Sequence, residues 1–124
     1  MINERRPVNN PIREKSYVLA VRVVKLCSGP LGRRIAPIRK QLLRSGTSVG
    51  ANIEESQSAE SRYDFAHKIA LALKEARETH YWLRLSRDAG LLPAEVVREC
   101  LGLADEITRM GSRIIKSTNT PPAA

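Results

Sequence analysis

The sequence predicts an all-α protein, an antiparallel up-and-down four-helix bundle that assembles with copies of itself. Three observations carry this. Apolar and small residues recur at alternating spacings of four and three along most of the chain, the period of a helix face and not of a strand. Aromatic residues make up only 4% of the 124 residues, and no run alternates apolar with polar. The breaks between periodic stretches are short, and helices joined by short connections pack antiparallel. A chain of 13.8 kDa can enclose one core but not two. The domain is therefore expected over residues 11–117, with residues 1–10 a flexible, polar segment.

Asn10-Pro11 opens the first helix, an N-cap followed by a proline where no backbone N–H is needed. That helix runs to about Cys27 and stops at Ser28-Gly29-Pro30. Its apolar surface (Tyr17, Leu19, Ala20, Val21, Val23, Val24, Leu26, Cys27) is wide enough to predict contact on two sides, inside the bundle and with another subunit. PLGRRIAP reads as a loop, with Pro37 in the first turn of the second helix. From there Ile38, Leu42, Ser45, Val49, Asn52, Ser56 and Ala59 form one stripe, which passes unbroken through the small residues of GTSVG. Ser61-Arg-Tyr-Asp64 has the form of a capping box and starts a third helix, striped by Ala66, Ile69, Leu73, Ala76, His80 and Leu83 up to Asp88-Ala-Gly90. Leu91-Leu92-Pro93 turns the chain into a fourth, striped by Val97, Cys100, Ala104, Ile107, Gly111 and Ile114. The tail STNTPPAA is Pro-rich, so residues 118–124 are expected to be disordered.

Charge is distributed unevenly. Residues 1–44 hold 11 of the 21 Lys and Arg but only Glu4 and Glu14, which makes this third +9 while the rest of the chain is −1. A one-sided basic field suits a polyanion, most often nucleic acid; a solvated basic helix face is the plainer explanation. Cys27 and Cys100 stand alone at helical spacing among apolar residues, without CxxC or clustered His, as reduced core-filling thiols of a cytoplasmic protein do. No apolar run approaches the ~18 residues of a membrane span, and none follows Met1–Arg6 as a signal sequence requires.

GTSVG is not a phosphate-binding loop, because its glycines are four apart, no Lys follows and no strand precedes. Two glycines on one helix face instead predict a close helix–helix approach, offsetting the ~1 kcal/mol that each costs relative to Ala. A dinuclear metal site needs two Glu-x-x-His elements; the chain has only His67 and His80, so no metal and no cofactor are expected. Arg62-Tyr-Asp-Phe-Ala-His67 matches the Arg-x4–6-His pattern of HEPN ribonucleases, in which His would act on a ribose hydroxyl and Arg on the phosphorane. The capping box explains the same segment without catalysis. Trp82 is expected in the core or a subunit interface, although Tyr81-Trp82 beside Arg77, Arg84 and Arg87 could also stack on bases. Glu75 and Glu78 are expected to pair with basic residues at helical spacing.

Three blocks, KSYVLAVRVVKLC (15–27), KQLLRSGTSVGANIEESQSAESRYDFAHKIALALKEARETHYWL (40–83) and EITRMGSRIIK (106–116), together resemble the bacterial four helix bundle protein family, also called the 23S rRNA intervening-sequence protein family. The resemblance covers about residues 12–117. It implies an up-and-down bundle that associates as a homopentamer around a central channel. Many such proteins are encoded within intervening sequences of large-subunit ribosomal RNA genes. A related branch is the accessory protein of the reverse transcriptase of diversity-generating retroelements and binds both enzyme and RNA. The resemblance implies no catalytic motif.

The expectation is a non-enzymatic, cytoplasmic homo-oligomer that binds structured RNA or a nucleoprotein through a basic face. Arg13, Lys15, Arg22, Lys25, Arg33, Arg34, Arg39, Lys40 and Arg44 are its candidate phosphate contacts. Arg39, Lys40 and Arg44 lie off the apolar stripe, so reversing their charge should leave the fold intact. The alternatives are a metal-independent ribonuclease using Arg62 and His67, an accessory subunit of a reverse transcriptase, and an assembly that binds no nucleic acid.

Overall fold

Helix α1 spans Pro11–Ser28, a 3₁₀ helix Pro30–Ile35, α2 Arg39–Ser56, α3 Arg62–Asp88 and α4 Ala94–Asn119. The structure, a computed structural model, describes residues 10–120, and among these there is no strand. The flexibility expected of the N-terminal segment and the disorder expected of the tail fall on residues 1–9 and 121–124, outside the described residues. Consecutive helices pack against each other and α1 closes on α4, so the four-helix antiparallel bundle is observed as expected.

Local chemistry explains the boundaries. Asn10 accepts the Arg13 N–H at 3.4 Å, with Pro11 in the first turn. The segment read as a loop is instead a 3₁₀ helix held to the core, because Ile35 is fully buried and Gly32 lies against Cys27. A Cβ on Gly32 would sit 2.1 Å from the Cys27 carbonyl oxygen, so only glycine fits there. Pro37 does not enter α2. The Ile38 N–H still donates to the Ile35 carbonyl at 2.9 Å, and α-helical bonding starts only when Leu42 donates to Ile38. Ser61 Oγ accepts the Asp64 N–H at 2.9 Å, the cap that the sequence predicts for α3. Helix α4 continues to Asn119, past the point at which the tail was expected to begin.

Leu42, Ser45, Val49 and Ser56 are buried along α2, but Asn52 is only half-buried and bonds back to the Ser48 carbonyl; Ile53 takes the inward place. A straight helix drifts ~20° per heptad, which carries Asn52 to the edge of the face that Ser45 still occupies. On α3 the same slippage leaves His80 half-buried and Thr79 fully buried.

Gly46 and Gly50 lie where α2 meets α1. A Cβ on Gly46 would stand 2.8 Å from Val23 Cγ1, and one on Gly50 3.3 Å from the Ser16 carbonyl oxygen. GTSVG is thus a packing face, and Ser45 at its edge joins α2 to α3 through Thr79 Oγ1 at 3.0 Å. Cys27 and Cys100 are free and buried; burial raises both thiols above their ordinary pKa.

Candidate nucleic-acid interface

The nine candidate cations divide into two groups. Four are held in ion pairs between helices. Arg13 Nε meets Glu54 Oε2 at 2.9 Å, Lys15 Nζ meets Glu106 at 3.5 Å, and Arg22 meets Glu99 at 2.9 Å. Arg44 reaches Glu75 at 3.1 Å and also bonds Glu78. These pairs have a shared logic. Lys15 and Arg22 are seven residues apart on α1, and Glu99 and Glu106 are seven apart on α4, so antiparallel helices bring both pairs into register together. Glu75 and Glu78 pair with α2 rather than with basic residues of their own helix, which corrects the expectation for them. Arg44 is a clamp between helices, and reversing it would set a third carboxylate against Glu75 and Glu78.

The other five remain exposed at one end of the bundle. Lys25 lies in the last turn of α1, Arg33 and Arg34 in the 3₁₀ helix, and Arg39 and Lys40 at the start of α2. The turn between α3 and α4 closes the same end, where Arg34 Nη2 donates to the Gly90 carbonyl at 3.4 Å. Among the described residues none of the five has a carboxylate partner. The first turn of α2 carries no acidic residue. Two cations at a helix N-terminus add to the positive end of its dipole, where helix stability favours acids. The nearest exposed carboxylate on α3, Asp88, is bonded to Arg87, which holds it below its usual pKa.

Arg62 and His67 are not brought together. They are five residues apart on α3, about 140° around its axis. Arg62 donates to the carbonyls of Thr118 and Thr120 at the C-terminal end of α4, whereas His67 is exposed and stacked on Tyr63 with ring centroids 6.1 Å apart. His80 is engaged on both nitrogens, Nδ1 accepting from Arg84 and Nε2 facing Asp105 at 3.2 Å. Among the described residues no three His, Cys, Asp or Glu side chains gather as a metal site would require. Trp82 is half-buried and donates to Glu78 at 3.0 Å, a packing role.

Helix α1 does have two apolar sides. Leu19, Val23, Leu26 and Cys27 face inward, while Tyr17 (67% exposed), Val18 and Val24 face out. Beside Tyr17 a groove of about 160 Å³ runs between α1 and α2, floored by Gly50 and edged by Ala20 and Ala51. No helix of the described residues is long and apolar enough to cross a membrane.

None of the curated proteins matches this chain. It is similar to a crystal structure of a protein of unknown function from the S23 ribosomal protein family of Bacteroides thetaiotaomicron. The two are 40% identical with a TM-score of 0.78, over 85% of this chain and 98% of the other. The model of the 23S rRNA-intervening sequence proteins matches residues 9–113, taking in all of α1, α2 and α3 and most of α4. With the family model covering well over half its length, the chain belongs to the 23S rRNA-intervening sequence protein family.

Proposed function

We propose that this chain is a non-enzymatic scaffold that binds structured RNA by the phosphates, through the cationic end formed by Lys25, Arg33, Arg34, Arg39 and Lys40. One observation carries the proposal: these five cations gather at one end without carboxylate partners among the described residues, while four others of the basic third are paired between helices. Unpaired cations at the positive end of a helix oppose stability, which favours a role in binding over a structural one. The family, of 23S rRNA-intervening sequence proteins, and the similar crystal structure, from the S23 ribosomal protein family, support the same polymer. Contacts of this kind position an RNA without reading its bases. The separation of Arg62 and His67 argues against a nuclease, since its chemistry needs both groups on one phosphate.

The test is filter binding of a folded RNA across a salt series. Each phosphate contact contributes about −0.7 to −0.9 to the slope of log K against log salt. Arg39→Glu with Lys40→Glu should lower both affinity and slope, and equal slopes for the two proteins would overturn the proposal. Arg44 is left out of this variant because its loss would unclamp α2 from α3.

The outer face of α1, with Tyr17, Val18 and Val24, is covered by further copies of the chain, as a homo-oligomer and most simply the pentamer that the family resemblance implies. Light scattering should give a mass several times 13.8 kDa, and a monomer at micromolar concentration would refute this. Repetition of the cationic end in each copy would turn modest contacts into avid binding.

A further inference from the structure

The outward row of α3 is unlike any other surface of the bundle. Tyr63, His67, Lys74, Arg77, Tyr81 and Arg84 follow one another at spacings of three, four and seven, all exposed, on the side opposite the buried Ala72, Ala76 and Leu83. Tyr63 is 80% exposed and Tyr81 48%, in a chain with only five aromatic side chains. Apolar rings are costly to leave in water, and burial inside the bundle accounts for neither. Lys74 and Arg77 have no carboxylate partner among the described residues. Arg84 lies over the Tyr81 ring, 5.9 Å from its centroid, and Trp82 braces that ring edge-on at 5.0 Å. Of the carboxylates on α3, Asp88 lies on the row itself, four residues beyond Arg84, and is bonded to Arg87, while Glu75 and Glu78 beside the row are engaged by Arg44. From Tyr63 to Arg84 the row is about 32 Å long, and its lower end adjoins the turn at Gly90 that Arg34 contacts.

We infer that this row is a track for single-stranded RNA, on which bases stack against Tyr63 and Tyr81 while the backbone phosphates meet Lys74, Arg77 and Arg84. Exposed rings alternating with unpaired cations are the elements of single-strand binding surfaces, in which a base stacks on an aromatic face whatever its identity. A folded duplex offers no free base faces, so the track takes the unpaired stretch of an RNA whose folded part sits at the cationic end. The inference rests on the proposed function for the polymer it names, but on a separate set of side chains.

The experiment measures binding of a labelled oligouridylate of about 15 nucleotides and of a hairpin RNA. The proteins are wild type, Tyr63→Ala with Tyr81→Ala, Tyr63→Phe with Tyr81→Phe, and Arg39→Glu with Lys40→Glu. The alanine pair should bind oligouridylate at least about five-fold more weakly, with an unchanged salt slope because no charge is removed. The phenylalanine pair should bind like wild type, since stacking uses the ring. If the alanine pair fails to fold by circular dichroism, Tyr63→Ala alone decides, because that ring is 80% exposed. Wild-type affinity in the alanine variant, or no oligouridylate binding by wild type, overturns the track. Loss of hairpin binding in the Arg39/Lys40 variant would then still uphold the cationic end. A track that depends on the tyrosines beside hairpin binding that ignores Arg39 and Lys40 upholds the track and refutes the end. A drop in mass of the alanine variant would show instead that the row joins copies of the chain.

Discussion

Gly46 marks the tightest contact between α1 and α2. Val23, the residue that an added Cβ would meet, is fully buried and β-branched, so it has little freedom to turn away. Gly46→Leu should therefore cost about 1–3 kcal/mol in a urea melt. Gly50→Leu should also destabilise, but less, because the added Cβ stays 3.3 Å from Ser16 and a groove opens beside it. A Gly46→Leu protein that melts like the parent would show that the helices do not approach closely here. The buried Ser45–Thr79 pair calls for a different comparison. Either hydroxyl alone leaves its partner with only a backbone carbonyl, at 3.3 Å for Ser45 and 2.8 Å for Thr79. Ser45→Ala and Thr79→Val together should thus cost less than the sum of the two singly, by about 1 kcal/mol in a double-mutant cycle. The thiols report burial directly. With their native pKa raised, Cys27 and Cys100 stay protonated after unfolded thiols ionise, near pH 8.5. Their contribution to stability is complete below that pH and is lost as pH rises above it. At pH 7 both should resist iodoacetamide in the native protein and react once urea unfolds it; fast native labelling would contradict their burial.

Between elements, register is set by charge as well as by packing. Lys15–Glu106 and Arg22–Glu99 match only if α1 and α4 are antiparallel and correctly aligned, and sliding by one turn breaks both at once. Exposed pairs of this kind contribute about 0.2–1 kcal/mol each, so they select an alignment more than they stabilise it. Arg44→Glu would bring a third carboxylate up to Glu75 and Glu78. It should lower the melting temperature clearly, whereas Arg39→Glu with Lys40→Glu should leave it almost unchanged; equal melts would deny Arg44 its role as a clamp. The sequence made the helices legible through their four-three periods and caps, because Asn10-Pro11 and Ser61-x-x-Asp64 act within a single turn. It hid Pro30–Ile35, whose 3₁₀ conformation depends on Ile35 reaching a core built by other helices. The basic third was legible as a total, but not its division. Whether a Lys or Arg is free depends on which carboxylate another helix brings to it. The matching seven-residue spacings of Lys15/Arg22 and Glu99/Glu106 were the one local trace of that pairing.

For the molecule as a whole, the bundle separates its tasks by direction. The core lies along the axis, an apolar face lies on α1, a row of rings and cations lies on α3, and positive charge without carboxylate partners among the described residues caps one end. That end holds the junctions α1–α2 and α3–α4. Pro11, where α1 begins, and Asn119, where α4 finishes, must then both lie at the far end, which Arg62 confirms by reaching from the start of α3 to Thr118 and Thr120. An affinity tag or surface anchor attached before Pro11 or after Asn119 would leave the cationic end pointing away from the support. Biosensor measurements on protein tethered by either route should therefore report the same RNA affinity. A fluorescent acceptor on a bound hairpin should likewise sit about one helix length from the donor, ~27 Å for the 18 residues of α1 on one side and ~39 Å for the 26 residues of α4 on the other. The start of α1 and the finish of α4 thus lie together, opposite the end proposed to bind RNA.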